Sequence, residues 1–398
     1  AKGGLYRFLD IIERAGNALP HPFLLFIYIT IILGIISAIV SWAGVEVINP
    51  SNKSVIKANN LLSADGLRWL LTNAVKNFTN FAPLGLVLTM MLGIGLAEKV
   101  GFMSALMRKT MTGAPVWAVS LTVFFIGING NIASDASIII IPAIAATVYQ
   151  SMGKNPLVGL LAGYAAANCG FSANILIAGT DSLLAGITQE AARIIDPNAT
   201  VNPAVNWYFM VVSTFVLTFL GAWMTDKVIA PRFGDYKGSA QLETSHELTE
   251  LELKGLKKAG IAALIFVIIL LLLVVPPDGI LRDPKKGTII PSPFLNGIIP
   301  ILLLLFVTVS VVYGKTVGTI KTSNDIPKHM AEAMKTMSSY IVLVFVMGQF
   351  VAAFNWTNLG KMFSIAGAEF LENVGFTGIP LMLGIMVLTC IVEFFIGS

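Results

Sequence analysis

The sequence predicts an all-α polytopic membrane protein with inverted repeats and two helical re-entrant hairpins. Three observations lead there. Of 398 residues, 56% are hydrophobic and 12% charged, where a soluble domain carries about 25% charged residues, and mean hydropathy is +0.80. Two apolar runs are too short to cross a bilayer and flank a polar knot. The order of segments around that knot recurs near the end of the chain.

The knot organises residues 114–194. An arm, APVWAVSLTVFFIGI (114–128), runs into Asn129-Gly-Asn-Ile-Ala-Ser-Asp135, and a second arm, ASIIIIPAIAATVYQ, covers 136–150. Each arm has 15 residues, about 22 Å as helix, short of the roughly 20 residues a span needs. The pattern is that of a re-entrant hairpin. The next apolar run, 156–193, is interrupted by Asn168-Cys-Gly-Phe-Ser-Ala-Asn174 and Gly179-Thr-Asp181, the mark of a discontinuous spanning helix. Broken backbone at membrane depth survives only where it lines a site or is buried in protein. Ion-coupled transporters build their sites this way.

In order, residues 4–19 form an amphipathic stretch, with Leu5, Phe8, Leu9 and Ile12 on one face, expected as an interfacial helix ended by Pro20-His-Pro22. Residues 22–43 carry no charge and make the first span. A polar loop, 45–65, follows, and 81–97 completes a second span. Residues 98–112 are expected at the interface. After the hairpin and the broken span, 205–225 spans again. Residues 226–258 are a polar cytoplasmic linker between a first half, 22–225, and a second half, 259–398. Spans at 259–277, 293–314 and 338–355 follow, with interfacial segments at 325–337 and 356–376. The final arm is 377–398.

Phe124-Phe-Ile-Gly127 recurs as Phe394-Phe-Ile-Gly397, and each copy ends an arm opened by Pro (Pro115, Pro380). Each arm follows a span and then an interfacial segment. Lysine and arginine bias in short loops puts the amino terminus inside, with Lys99, Arg108, Lys154, Lys227 and Lys315 cytoplasmic; Arg282, Lys285 and Lys286 run against it. The first hairpin then enters from the cytoplasm and the second from outside, an inverted repeat. The second copy stops at its tip, Ser398, so a return arm, a second broken helix and a last span are expected beyond it. No signal peptide is visible, and a chain opening on Ala1 is expected to lack its true start.

The tip residues Asn129, Asn131, Ser134 and Asp135 offer oxygens to a hard cation such as Na⁺. The competing reading is that Ser134 and Asp135 cap the return helix. Asn168, Ser172 and Asn174 lie in the helix break, as substrate ligands or as interhelical hydrogen-bonding groups. Asp181, a carboxylate inside an apolar segment, is a functional residue by default: it can take a proton, a cation or a substrate amine, or simply cap a helix. Ser398, at the second tip, joins Asp181, Asn174, Ser172 and Asn168 among the substrate-binding candidates. Glu393 complements the site or pairs with Arg193. Net charge +4 fits loop lysines facing anionic lipid and does not suggest nucleic acid. Cys169 and Cys390 sit in apolar segments, and His21, His246 and His329 are scattered, so no disulfide framework, metal site or other cofactor is expected. No nucleotide motif is present, which leaves an ion gradient, Na⁺ or H⁺, as the source of energy.

The strings Gly130-Asn-Ile-Ala-Ser-Asp-Ala136, Asn168–Asn174, Gly179-Thr-Asp-Ser-Leu-Leu184 and Glu393-Phe-Phe-Ile-Gly-Ser398 resemble the AbgT family over nearly the whole chain. The resemblance implies an elevator-type scaffold, nine transmembrane helices in the full-length protein and a bowl-shaped homodimer in the bacterial inner membrane. It implies a small-molecule cargo: import of p-aminobenzoyl-glutamate, or export of sulfonamide antimetabolites, coupled to H⁺ or Na⁺ and without enzymatic activity. The family's functional aspartate matches Asp181; its other site residues, a Ser/Trp motif and then Asn, Pro, Arg and Asp, follow the second tip. Two other readings stand beside it: a Na⁺-coupled di- or tricarboxylate transporter, and an intramembrane aspartyl protease with Asp135 and Asp181 as its dyad.

Overall fold

A computed structural model describes residues 20–48, 54–113, 115–133, 135–170, 172–196, 198–234, 236, 248–289 and 292–393. Among them, six helices are long and apolar enough to cross a membrane. The chain forms two compact units, each drawn from both halves of the sequence: residues 1–81, 190–199 and 339–398, and residues 82–189 and 200–338.

In the first unit, α1 (Pro22–Trp42) starts where Pro22 supplies a preset φ and His21 Nδ1 accepts the Phe23 amide at 3.2 Å. The uncharged span buries only Leu33, Gly34 and Ser37, so most of its surface is left for lipid. The expected loop 45–65 holds a small antiparallel sheet, β1 (Glu46–Ile48) with β2 (Val55–Lys57), in which Glu46 faces Lys57. Short alternating runs around a polar turn permit this. Helix α2 (Ala64–Thr79) is capped by Ser63, whose hydroxyl accepts from Gly66 N.

The rest of this unit lies late in the sequence. Helix α15 is Ser338–Trp356, α16 is Leu359–Asn373 and α17 is Ile379–Glu393. Asn59 reaches the end of α15, its side chain donating to Trp356 O at 2.7 Å and its backbone N–H to Thr357 O at 3.0 Å. Asn77 and Gln349 bond at 3.0 Å and join α2 to α15.

The second unit opens with α3 (Ala82–Lys99) and α4 (Phe102–Thr112). The sequence places 98–112 at the interface. Helix α4 buries Phe102, Met103, Ala105, Met107 and Met111, so its apolar face is packed on protein. The hairpin follows as α5 (Val119–Asn129), a 3₁₀ turn (Gly130–Ala133) and α6 (Asp135–Ser151). Its arms are antiparallel: Ser120, opening α5, and Tyr149, closing α6, share a hydrogen bond of 2.7 Å. The broken span is α7 (Pro156–Cys169) and α8 (Gly179–Ile195), capped at its start by Asn155, which accepts from Leu157 N; the end of α8, from Glu190 on, belongs to the first unit.

Small residues let α7 pack closely on the hairpin. A Cβ on Gly159 would stand 2.5 Å from Ala145 O, and one on Gly163 2.8 Å from Pro142 Cα. Helix α9 (Trp207–Met224) runs through a π turn (Thr225–Ile229) into α10 (Ala230–Phe233). The linker read as 226–258 is shorter than expected. Helix α11 (Glu250–Val274) begins inside it on a capping box, Thr249 with Glu252. That turn also holds an ion pair to α4, Arg108 to Glu252 at 2.6 Å. At its other end Arg282 donates to Val274 O, Val275 O and Gly287 O at 2.7–2.9 Å. Short α12 (Pro293–Asn296), α13 (Ile298–Val317) and α14 (Asp325–Lys335) complete the unit. Its core runs through Met90, Ile94, Val119, Ile141, Tyr149, Phe306 and Tyr313.

The amphipathic stretch 4–19 and the second Phe-Phe-Ile-Gly string lie outside the described residues.

Candidate functional site

The site forms where the hairpin tip meets the break between α7 and α8. Helix α5 cannot run on past Asn129, because the chain tightens into a 3₁₀ turn and reverses. Helix α7 ends at Cys169 on Gly170, and Ser172 follows with φ +67°. That left-handed conformation is unusual for a residue with a side chain and is found where the surroundings enforce it.

Asn129 and Asn131 hold the tip to the break. Asn129 donates to Phe125 O at 2.8 Å, within its own helix, and its Oδ1 accepts the Ile175 amide at 3.0 Å. Asn131 Nδ2 donates to Asn174 Oδ1 at 3.3 Å. Both are buried, at 2% and 0% exposure. Asn131 Oδ1 and Asn174 Nδ2 have no hydrogen-bond partner. A buried acceptor and a buried donor left unpaired cost about 1–3 kcal/mol each. Such a pair is what a ligand or ion would satisfy.

Asp181 is buried in the first turn of α8, with its Oδ2 accepting the Ala178 amide at 2.6 Å. It therefore caps α8, and a carboxylate is favoured at that positive helix end. Thr180 Oγ is buried there without a partner. Capping and ligation are compatible, since one carboxylate oxygen remains uncommitted to the Ala178 bond.

Not every sequence candidate joins this cluster. Asn168 donates to Tyr164 O, four residues back on α7. Ser172 is half-buried in the break. Asp135 opens α6, but its side chain lies outside the described residues, as do Ser134 and Ser398 altogether. Arg193 pairs with Glu190 at 3.6 Å rather than with Glu393, whose side chain is also outside the described residues. Sequence reading missed Trp207, whose indole N–H donates to Ile175 O at 2.8 Å and braces the break from α9. Nothing separates this Trp from one anchoring a span at the interface. An apolar cavity of about 410 Å³ adjoins the tip, lined in part by Phe102, Phe125, Asn129, Leu176 and Phe306.

The sequence pattern of the AbgT putative transporter family matches residues 7–398. The chain belongs to this family. An Escherichia coli relative, a p-aminobenzoyl-glutamate transport protein, is 45% identical over 387 residues, covering 97% of this chain and 76% of that protein. Two solved AbgT-type transporters have the same fold. The Neisseria gonorrhoeae MtrF structure, described for a class of antimetabolite efflux pumps, superposes with a TM-score of 0.92 at 41% identity, over 98% of this chain and 80% of that one. The Alcanivorax borkumensis YdaH transporter gives 0.88 at 35% identity, over 94% and 78%. With six apolar spans among the described residues, this AbgT-family chain is a multi-pass inner-membrane protein of the transporter class.

Proposed function

We propose that the chain is a secondary transporter, driven by an ion gradient, for p-aminobenzoyl-glutamate or related aromatic acids, with efflux of sulfonamide antimetabolites in the same class. The observation that carries it is the contact of the hairpin tip with the helix break, where Asn131 Oδ1 and Asn174 Nδ2 lie buried and unpartnered near the first turn of α8. Asn131 Oδ1 suits a Na⁺ ligand, completed by backbone carbonyls of the unwound segment. Asp181 suits a proton or a cation. The Asn174 amide, which also faces the Asp181 carboxyl, and the amino end of α8 suit a substrate carboxylate. The apolar cavity beside Asn129 suits the substrate's ring. The elevator movement and the homodimer belong to the same proposal.

The test is flux of labelled p-aminobenzoyl-glutamate in proteoliposomes, with Na⁺ and pH gradients imposed separately. Uptake that follows one gradient supports the reading and names the ion. Gradient-driven flux of labelled succinate, with none of p-aminobenzoyl-glutamate, refutes it in favour of a dicarboxylate. The names of the relatives and the geometry favour neither the dicarboxylate nor the protease reading.

A further inference from the structure

A second polar concavity lies wholly within the first unit, between α2 and α15. It has a volume of about 470 Å³, with Trp69 and Trp356 at one end, Lys76 and Asn80 along α2, Asn355 on α15, and Glu190 from α8. Gln349 and Asn355 lie on the span α15, where polar side chains are costly and functional by default; Lys76 on α2 and its C-cap Asn80 are exposed. The bland explanation is hydrogen bonding between helices, and it accounts for part of the lining. Asn77 bonds Gln349, Gln349 donates to Ala74 O at 2.8 Å, and Asn73 donates to Trp69 O at 2.9 Å. Asn80, Asn355 and Lys76 are left over. Among the described residues neither asparagine side chain makes a hydrogen bond, and Lys76 makes no ion pair.

The remaining chemistry is specific. The Trp69 and Trp356 rings stack at 5.1 Å with planes 22° apart, a rigid apolar face the width of an aromatic ring. Lys76 supplies an uncompensated cation. Glu190, with 19% of its side chain exposed, supplies an acceptor held by Arg193. Gly348, Val351 and Ala352 keep the α15 wall low. At Gly348 a Cβ would stand 2.7 Å from Asn77 O, so the two helices touch at the floor of the cleft.

We propose that this cleft is a second binding site, separate from the tip-and-break site, for an aromatic carboxylate that also carries an N–H donor. The ring lies against the indole pair, the carboxylate meets Lys76 and the N–H donates to Glu190. The volume falls within the range of small-molecule sites. The β-hairpin is tied to the end of α15, so the cleft's Trp356 end is on the side of the membrane where that hairpin sits. With the amino terminus inside, this is the outer face. The cleft is then a station where cargo is held on the outer side. That it holds cargo rests on the transport reading above; that it binds such acids does not.

Calorimetric titration of the whole purified protein with p-aminobenzoyl-glutamate, and separately with p-aminobenzoate, tests the proposal. Lys76→Met and Glu190→Gln are compared with Lys76→Arg, and Asp181→Asn serves as the variant of the other site. The expected result is a class of site that survives Asp181→Asn, weakens at least tenfold in Lys76→Met and Glu190→Gln, and recovers in Lys76→Arg. In flux, Lys76→Met then raises KM and leaves kcat unchanged. Unaltered melting temperatures separate these effects from misfolding. Binding and KM like the parent in both Lys76→Met and Glu190→Gln overturn the proposal. If the parent carries no p-aminobenzoyl-glutamate yet Lys76-dependent binding persists, the transport reading fails and the cleft stands.

Discussion

Replacing Asp181 by asparagine separates its two roles. The carboxylate is buried at 7% exposure and accepts the Ala178 amide at 2.6 Å. Asparagine leaves an acceptor in the same place, so the cap of α8 is kept. What is lost is the difference between a charge-assisted and a neutral hydrogen bond, about 1 kcal/mol. Against a total stability of about 5–15 kcal/mol the fold survives, and melting followed by intrinsic fluorescence should fall by only a few degrees. Transport should behave differently. A group that binds the coupling ion links two sites by about 1–3 kcal/mol, or 5–150-fold in affinity. Without it, gradient-driven accumulation in proteoliposomes should collapse, while exchange of labelled for unlabelled cargo continues. Asp181→Asn vesicles that accumulate cargo at the parental rate, under the same gradient, would show that Asp181 is a cap alone.

Four further outcomes are expected. Gly159→Ala puts a methyl against Ala145 O and the Tyr149 ring, so α7 must withdraw from α6; a loss of about 1–3 kcal/mol should appear as a lower melting temperature. Arg108→Met strands Glu252 in a pair whose side chains are only 16% and 15% exposed; it should destabilise by about 2–4 kcal/mol, more than Glu252→Gln, and a double-mutant cycle read by melting should show coupling. Ser172→Gly relieves a positive φ of 67° worth about 1 kcal/mol; a higher melting temperature with unchanged flux would mean the hydroxyl binds nothing, whereas lost flux would make it a ligand. Asp325 accepts the backbone amides of Thr322 and Lys321, which hold its carboxyl below the usual carboxylate range. A lowered folded pKa means that this turn's stabilisation is present above about pH 4 and lost as pH falls through the folded value; the protection of the Lys321 and Thr322 amides, measured against their intrinsic exchange rates, should fall there, and in Asp325→Asn that protection should not change across this pH range.

The hairpin was legible because two constraints collide in it: its arms are apolar enough for a membrane yet too short to cross one, and the residues between them are amides and a carboxylate. The broken helix was legible for a similar reason, since Gly170 and Gly179 bracket polar residues inside an apolar run. Which polar residues point at one another was not. Asn168 and Asn174 lie six positions apart across the break, and once α7 ends helical phase no longer relates their directions. Asn168, still on the helix, bonds its own backbone, while Asn174, beyond it, reaches the tip. Trp207 gave no signal because its bond is to a carbonyl, Ile175 O, that only unwinding leaves free. The start of α11 was legible in principle, since Thr249 and Glu252 have capping-box spacing. The mixed charge of 226–258 hid it, because that composition suits a linker and a solvated first turn equally. The burial of α4 was hidden as well: an amphipathic helix shows the same pattern whether its apolar face meets lipid or protein.

Arg282 bears on how the protein's orientation is read. Its guanidinium donates to Val274 O and Val275 O at the end of α11 and to Gly287 O in the following loop. A charge spent on closing a helix is a local fastening, and it should not be tallied as a vote on which side of the bilayer its loop lies. Of the three cations that oppose the charge bias, one thus has a reason to be there that is indifferent to topology. Arg282→Gln should fray the last turn of α11 and leave the sidedness of the loop, read by membrane-impermeant labelling, where it was.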